Sequence, residues 1–168
     1  GTGDWSSDVC SSDLFDRGFW VSGDYESATD LLKPEFSEAI LERILNNIGA
    51  DWADRRVLLR CLTGHTLENQ HGSWGPERRS QERGQLMGSP ISFPVLCMAN
   101  LIICRWTLEN IAGKRLSLGH LPMLINGDDV LFHLSDDMRA SGQYTLWKWA
   151  TQQVGLKFSL GKNYISKK

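Results

Sequence analysis

Asp24, Asp128 and Asp129 are the residues whose type and spacing could do chemistry together. Asp128 and Asp129 stand side by side between two apolar runs in "LPMLINGDDVLFHL", residues 121–134. Adjacent carboxylates repel each other, and burying them is costly without a positive partner. Either the pair is a solvated hairpin turn, or it holds something strongly positive. Asp24 and Asp30 lie in "SGDYESATD" (22–30), a Gly/Ser loop in "GQLMGSPISF" (84–93) and Lys162 in "GLKFSLGKNY" (155–164).

The elements around these residues decide whether they can meet. Phe19 to Ser22 reads as a short strand that Gly23 breaks, which leaves Asp24 at its end. Pro34, then Phe36, Ile40, Leu41, Ile44, Leu45 and Ile48 on one face, predict a helix that stops at Gly49. "DWADRRVLLRCLTG" reads as another short helix or helix–turn, and the polar stretch 64–84 as a long loop or a β-ribbon. Pro94 suits the first turn of a helix from about Phe93 to Leu108, apolar nearly all round and therefore central and buried. Asn126-Gly127 predicts a hairpin, because primed turns need positive φ. Tyr144, Leu146, Trp147, Ala150 and Val154 recur at helical spacing before Gly155, and "LKFSL" (156–160) alternates like a closing strand.

With the helical insertion between 31 and 84 set aside, the order is strand, helix, two strands, helix, strand. That is an α+β chain with a ferredoxin-like βαββαβ core. In such a sheet the end of the first strand and the turn joining the second and third are neighbours. Asp24, Asp128 and Asp129 would then converge on an oxygen-rich pocket of the kind Mg²⁺ prefers. Two such ions about 4 Å apart can activate an attacking oxygen and stabilise a leaving one. Their charge would also offset the repulsion between the acids.

Composition sets the outer bounds. The 168 residues carry 18 Lys+Arg against 20 Asp+Glu, with 41% hydrophobic residues, an ordinary globular profile without a global basic signal for nucleic acid. "GDWSSDVCSSDL" (3–14) back-translates to a string resembling a common sequencing adapter. Residues 1–14 are therefore set aside as non-native, which leaves 15–168 as the authentic chain. Removing Asp4, Asp8 and Asp13 leaves 18 basic and 17 acidic residues, net +1. Cys61, Cys97 and Cys104 read as reduced thiols, not a disulfide framework. Cys61, His65 and His71 match no zinc spacing. The most apolar window, 95–104, is too short to span a bilayer, so no membrane segment is expected.

Read together, the quoted segments resemble the palm of a viral RNA-dependent RNA polymerase. "SGDYESATD" resembles motif A, "GQLMGSPISF" motif B, "NGDD" (126–129) motif C, and "GLKFSLGKNY" motif D. The wording is nearest to positive-strand viruses of the botourmia/narna-like group. A lone GDD is a weak signal, whereas four motifs in order and spacing are a strong one.

The resemblance implies roles at the matched positions. Asp24 and Asp128 would bind two Mg²⁺ ions, for which Mn²⁺ could substitute, and Asp129 would assist there. Asp30 would read the ribose of an incoming NTP through its 2′-hydroxyl. Gly88 and Ser89 would form a mobile loop touching template and nucleotide, and Ser92 would help position Asp30 and the ribose. Lys162 would sit near the triphosphate, as a cation and general acid. Relatives in other virus groups carry an Asn four residues after the motif B Ser/Thr. Here that position is Leu96 and the first Asn is Asn100, so no Asn is assigned to the ribose.

The implied activity is template-directed RNA synthesis that replicates a viral genome in the host cytoplasm, or in mitochondria as for some related viruses. The implied partners are template RNA, nascent RNA, NTPs and the fingers and thumb of the same polymerase. Residues 15–168 then read as a palm fragment that is inactive alone. Two rivals stand beside this reading. A reverse transcriptase-like palm is disfavoured by GDD and Asp30, and an inactive RNA-binding remnant by the intact frame across all four motifs. Arg78, Arg79 and Arg83 read as a solvated loop or as phosphate contacts, and Trp147 and Trp149 as packing.

Overall fold

A computed structural model describes residues 18–70, 77–134 and 142–167. The adapter-like residues 1–14 and His71 lie outside the described residues.

Four strands form one antiparallel sheet: β1 (Phe19–Gly23), β4 (Met123–Asn126), β5 (Asp129–Leu134) and β6 (Tyr164–Lys167), in the order β4-β5-β1-β6. A separate two-stranded ribbon pairs β2 (Thr66–Asn69) with β3 (Glu77–Ser80), which resolves the loop-or-ribbon alternative for this stretch. Its residues are exposed, and Arg78 and Arg79 pair with Glu68 and Glu77.

The register explains the core. Phe19, Val21 and Gly23 of β1 face Leu134, Phe132 and Val130 of β5, and all six are buried. Alternate residues of a strand share a face, so this row forms one apolar surface. Trp147, fully buried, packs edge-on against Phe132 and close to Tyr25, Tyr144 and Phe158. It lies on α5 (Gln143–Gln153), as the helical spacing predicts. Trp149 on the same helix is half exposed and leans on Trp106 at 5.9 Å.

The remaining helices are α1 (Ala28–Leu31), α2 (Pro34–Asn47), α3 (Trp52–Leu62) and α4 (Ser92–Ala112). Pro34 opens α2, and Gly49 follows it at φ 67°. Asp51 caps α3 by accepting the Asp54 N–H at 2.8 Å. α4 packs against α2, α5 and β4 and carries Val95, Leu96, Ala99, Ile103 and Leu108 into the core.

Two expectations need correction here. α4 is central, but its apolar surface is not covered all round: Phe93, Met98, Ile102 and Trp106 are exposed. At 21 residues it is also long and apolar enough to cross a membrane. It packs against α2, α5 and β4, and it also buries Ser92, Asn100 and Thr107. The closing strand is displaced as well. "LKFSL" makes only a single bridge, Phe158 to Tyr25, and the strand that pairs with β1 is Tyr164–Lys167. The physical reason is Phe158, whose ring turns into the Trp147 cluster.

Candidate active site

The β4–β5 hairpin pairs Asn126 with Asp129, so its two loop residues are Gly127 and Asp128. Gly127 has φ 66°, and the described backbone places no other loop residue there at positive φ. That is the pattern of a turn needing glycine at its first central position, not at both. Asn126 closes the strand, and Gly127 makes the bend. A Cβ on Gly127 would lie 3.1 Å from the Phe93 ring.

β1 brings up the other carboxylate. Its last residue, Gly23, pairs with Val130, which places Asp24 beside the hairpin end. Asn163 then continues the edge with its side chain. It accepts the Asp24 N–H at 3.2 Å and donates to the Asp24 carbonyl at 3.3 Å and to the Ser159 carbonyl at 2.7 Å. The Ser159 N–H also donates to the Asp24 carbonyl at 3.0 Å, and the Glu26 N–H to that of Lys157 at 2.8 Å. Segment 157–163 is thus tied to the backbone of residues 24–26, and this sets Lys162 over Asp24.

Ser22, Asp24, Asp128, Asp129, Lys162 and Tyr164 line one cleft of about 390 Å³. Asp24 Oδ2 is closed off from solvent and lies 3.1 Å from Lys162 Nζ. The Asp24 carboxylate raises the pKa of the Lys162 ammonium, as a hydrogen-bond partner and as an opposite charge, and Asp129 and Asp128 add to it.

Among the described residues, no three His, Cys, Asp or Glu groups close into a ready-made metal cluster. Asp24, Asp128 and Asp129 instead share a cleft, with Lys162 supplying positive charge to Asp24. The donor set is all carboxylate oxygen, which suits a hard divalent cation such as Mg²⁺. The shielded oxygen drawn to an ammonium shows that this corner favours positive charge.

The other predicted residues lie apart from this cleft. Asp30 is exposed on α1, and its backbone touches the second segment: a Cβ on Gly84 would lie 2.7 Å from the Asp30 Cα. The Gln85 N–H donates to the Thr29 carbonyl at 2.6 Å and the Gly84 N–H to that of Leu32 at 2.9 Å. Gly88 is exposed, while Ser89 is partly buried. Ser92 does not reach Asp30. It is buried, its hydroxyl donates to the Leu86 carbonyl at 2.6 Å, and its carbonyl accepts the Gln85 amide at 2.7 Å. Ser92 therefore fixes the loop, and the loop backbone meets α1. Among the described residues Cys61, Cys97 and Cys104 are free thiols, as expected.

Beneath the turn lies a polar cluster that sequence reasoning missed. Asn100, on α4 and fully buried, donates through Nδ2 to the Gly127 carbonyl at 3.2 Å and the Asp128 carbonyl at 3.3 Å. Its Oδ1 accepts from the Tyr25 phenol at 3.0 Å and from the Cys104 thiol at 3.4 Å. Burial raises the Tyr25 phenol well above its ordinary pKa and pushes the Cys104 thiol up to about 12, so both keep their protons to donate. Cys97 Sγ accepts the Gly127 N–H at 3.2 Å.

Comparison with known proteins finds a relative along most of the chain. The chain is 37% identical over 158 aligned residues to the RNA-dependent RNA polymerase of Ourmia melon virus (isolate Melon/Iran/VE9). The match covers 88% of this chain and 17% of that protein. This chain is homologous to part of a viral RNA-dependent RNA polymerase. Its fold agrees: the crystal structure of the RNA-dependent RNA polymerase of a human picobirnavirus superposes with a TM-score of 0.61 at 16% identity. That superposition covers 90% of this chain and 27% of the other. No protein-family model matches the chain.

Proposed function

We propose that this chain is the palm of a viral RNA-dependent RNA polymerase, with residues 15–168 as one piece of a longer enzyme and a ferredoxin-like βαββαβ core. The strand order β4-β5-β1-β6, with α4 and α5 as the two crossovers, supports that reading. The observation that carries the function is the meeting of Asp24, Asp128, Asp129 and Lys162 in one cleft. They come from three separate segments of a chain homologous to such a polymerase.

In the proposed reaction, the 3′-hydroxyl of a primer or of a first nucleotide gives up its proton to water, and its oxygen bonds to the α-phosphorus of an NTP. The bond from that phosphorus to the bridging oxygen breaks, and pyrophosphate leaves. Asp24 and Asp128 would hold two Mg²⁺ ions, or Mn²⁺, with Asp129 assisting. Bound there, the ions neutralise phosphate charge and favour ionisation of the attacking oxygen. Lys162 offers a proton to the leaving pyrophosphate and a charge to bind it. Asp30 selects ribose through the 2′-hydroxyl, and Gly88 and Ser89 contact template and nucleotide, held in place by the Ser92 hydrogen bonds. Template RNA, nascent RNA and the fingers and thumb are the partners, in the host cytoplasm or the mitochondrion.

The test is nucleotide incorporation by the full-length polymerase carrying this segment, on an RNA template. Template-dependent incorporation of rNTPs over dNTPs is the expected result. A preference for dNTPs would indicate a reverse transcriptase, and RNA binding without synthesis a remnant.

A further inference from the structure

The Asn100 amide makes four polar contacts, three with two other segments and one with Cys104 on its own helix. Chemistry dictates its orientation. Two backbone carbonyls can only accept, so Nδ2 must face them, and Oδ1 must face the phenol and thiol protons. Reversing the amide would set an oxygen against two carbonyl oxygens. A buried amide is costly unless its hydrogen bonds are made, and here both ends of the amide make them.

Its partners give it a function. Tyr25 directly follows Asp24, and Gly127 and Asp128 form the hairpin turn. We infer that Asn100 is a positioning residue, which holds the Asp24 and Asp128 carboxylates at a fixed separation by tying Tyr25 to the carbonyls of the turn. This rests on the polymerase reading for its purpose, though the tether itself is a matter of hydrogen bonds. Cys97, one turn earlier on α4, adds a second hold through the Gly127 N–H. The strand ends that carry the carboxylates are thus referenced to one rigid helix, which suits a site needing sub-ångström placement.

The experiment uses the full-length polymerase with Asn100→Asp and, separately, Tyr25→Phe. Asn100→Asp keeps the shape but turns a carboxylate oxygen onto the two carbonyls. Tyr25→Phe removes one hydroxyl and preserves the ring packing. The first readout is amide hydrogen exchange across residues 127–130 in metal-free protein. Exchange there should rise about tenfold in Asn100→Asp, the loss of one to two hydrogen bonds, while the α4 amides stay protected. Tyr25→Phe should move it the same way by less. The second readout is single-nucleotide incorporation, where kcat should fall about tenfold with the KM for NTP unchanged, as for a group that aligns the reaction without binding substrate.

Turn exchange at the parent rate in both variants would overturn the inference. So would exchange rising equally throughout α4, which marks a core residue only, or faster turn exchange with an unchanged kcat. If Asn100→Asp does not fold, Tyr25→Phe decides on the same criteria. Retained synthesis by Asp128→Ala would count against the polymerase reading and leave the exchange result standing.

Discussion

The Lys162 ammonium rests on the Asp24 carboxylate, yet two-thirds of its side chain is exposed. Its contribution to stability is therefore small, as for other solvated ion pairs. Because the pKa is raised in the folded state, that contribution is complete below the unfolded lysine value, near 10.4, and is lost only as pH climbs through the folded one. Lys162 accordingly stays charged throughout the neutral range, as its proposed place beside a triphosphate requires. Lys162→Met should leave the unfolding midpoint in urea unchanged and slow incorporation about 10²-fold, the lower end for a general acid. Single-turnover kinetics measures the loss, and a parent-like rate would remove Lys162 from the mechanism. The three carboxylates were legible in the sequence, because short segments and a strand order sufficed to bring them together, whereas Lys162 was pointed to only by the resemblance of its segment to motif D. Asn163 and Asn100 were not legible. Their partners, Asp24 and Tyr25, lie 139 and 75 positions away, and an isolated asparagine carries no local sign of such contacts.

At the scale of elements, the cleft depends on how closely β1 approaches α5. Gly23 ends β1 against the Trp147 ring, where an added Cβ would lie 2.2 Å from the ring edge. Trp147 is fully buried among four other rings and has no room to withdraw. Gly23→Ala should therefore destabilise the chain by about 1–3 kcal/mol through overpacking, read as a lower urea midpoint. An unchanged midpoint would mean that β1 can shift, and with it Asp24. The α2 boundaries, the α5 stripe and the Gly127 turn followed from local periodicity and turn chemistry. β6 did not. Alternation in "LKFSL" is a local pattern, whereas pairing is decided by the partner strand, and β1 takes Tyr164–Lys167. The exposed row on α4 was illegible for a related reason, since composition gives an apolar surface without saying which side is covered.

For the whole molecule, the chain spans 17% of the polymerase to which it is 37% identical. It brings Asp24, Asp128 and Asp129 into one cleft, but it carries 18 Lys+Arg against 20 Asp+Glu, and Arg78 and Arg79 are paired with Glu68 and Glu77. Phosphate contacts supply most nucleic-acid affinity, so the isolated chain should show no template-dependent incorporation where the full-length enzyme is active. A radiolabelled extension assay compares the two, and synthesis by the isolated chain would contradict the assignment of template grip to the rest of the polymerase. The central claim is that Asp24 and Asp128, which line one cleft at the end of β1 and the β4–β5 turn, are the carboxylates on which RNA synthesis depends. Its most direct test is Mg²⁺-dependent incorporation by the full-length polymerase with Asp128→Ala, checked to unfold like the parent. The account predicts a loss of at least about a thousandfold, of the order set by removing electrostatic stabilisation at a reacting centre. Substantial Mg²⁺-dependent synthesis by that variant would contradict it.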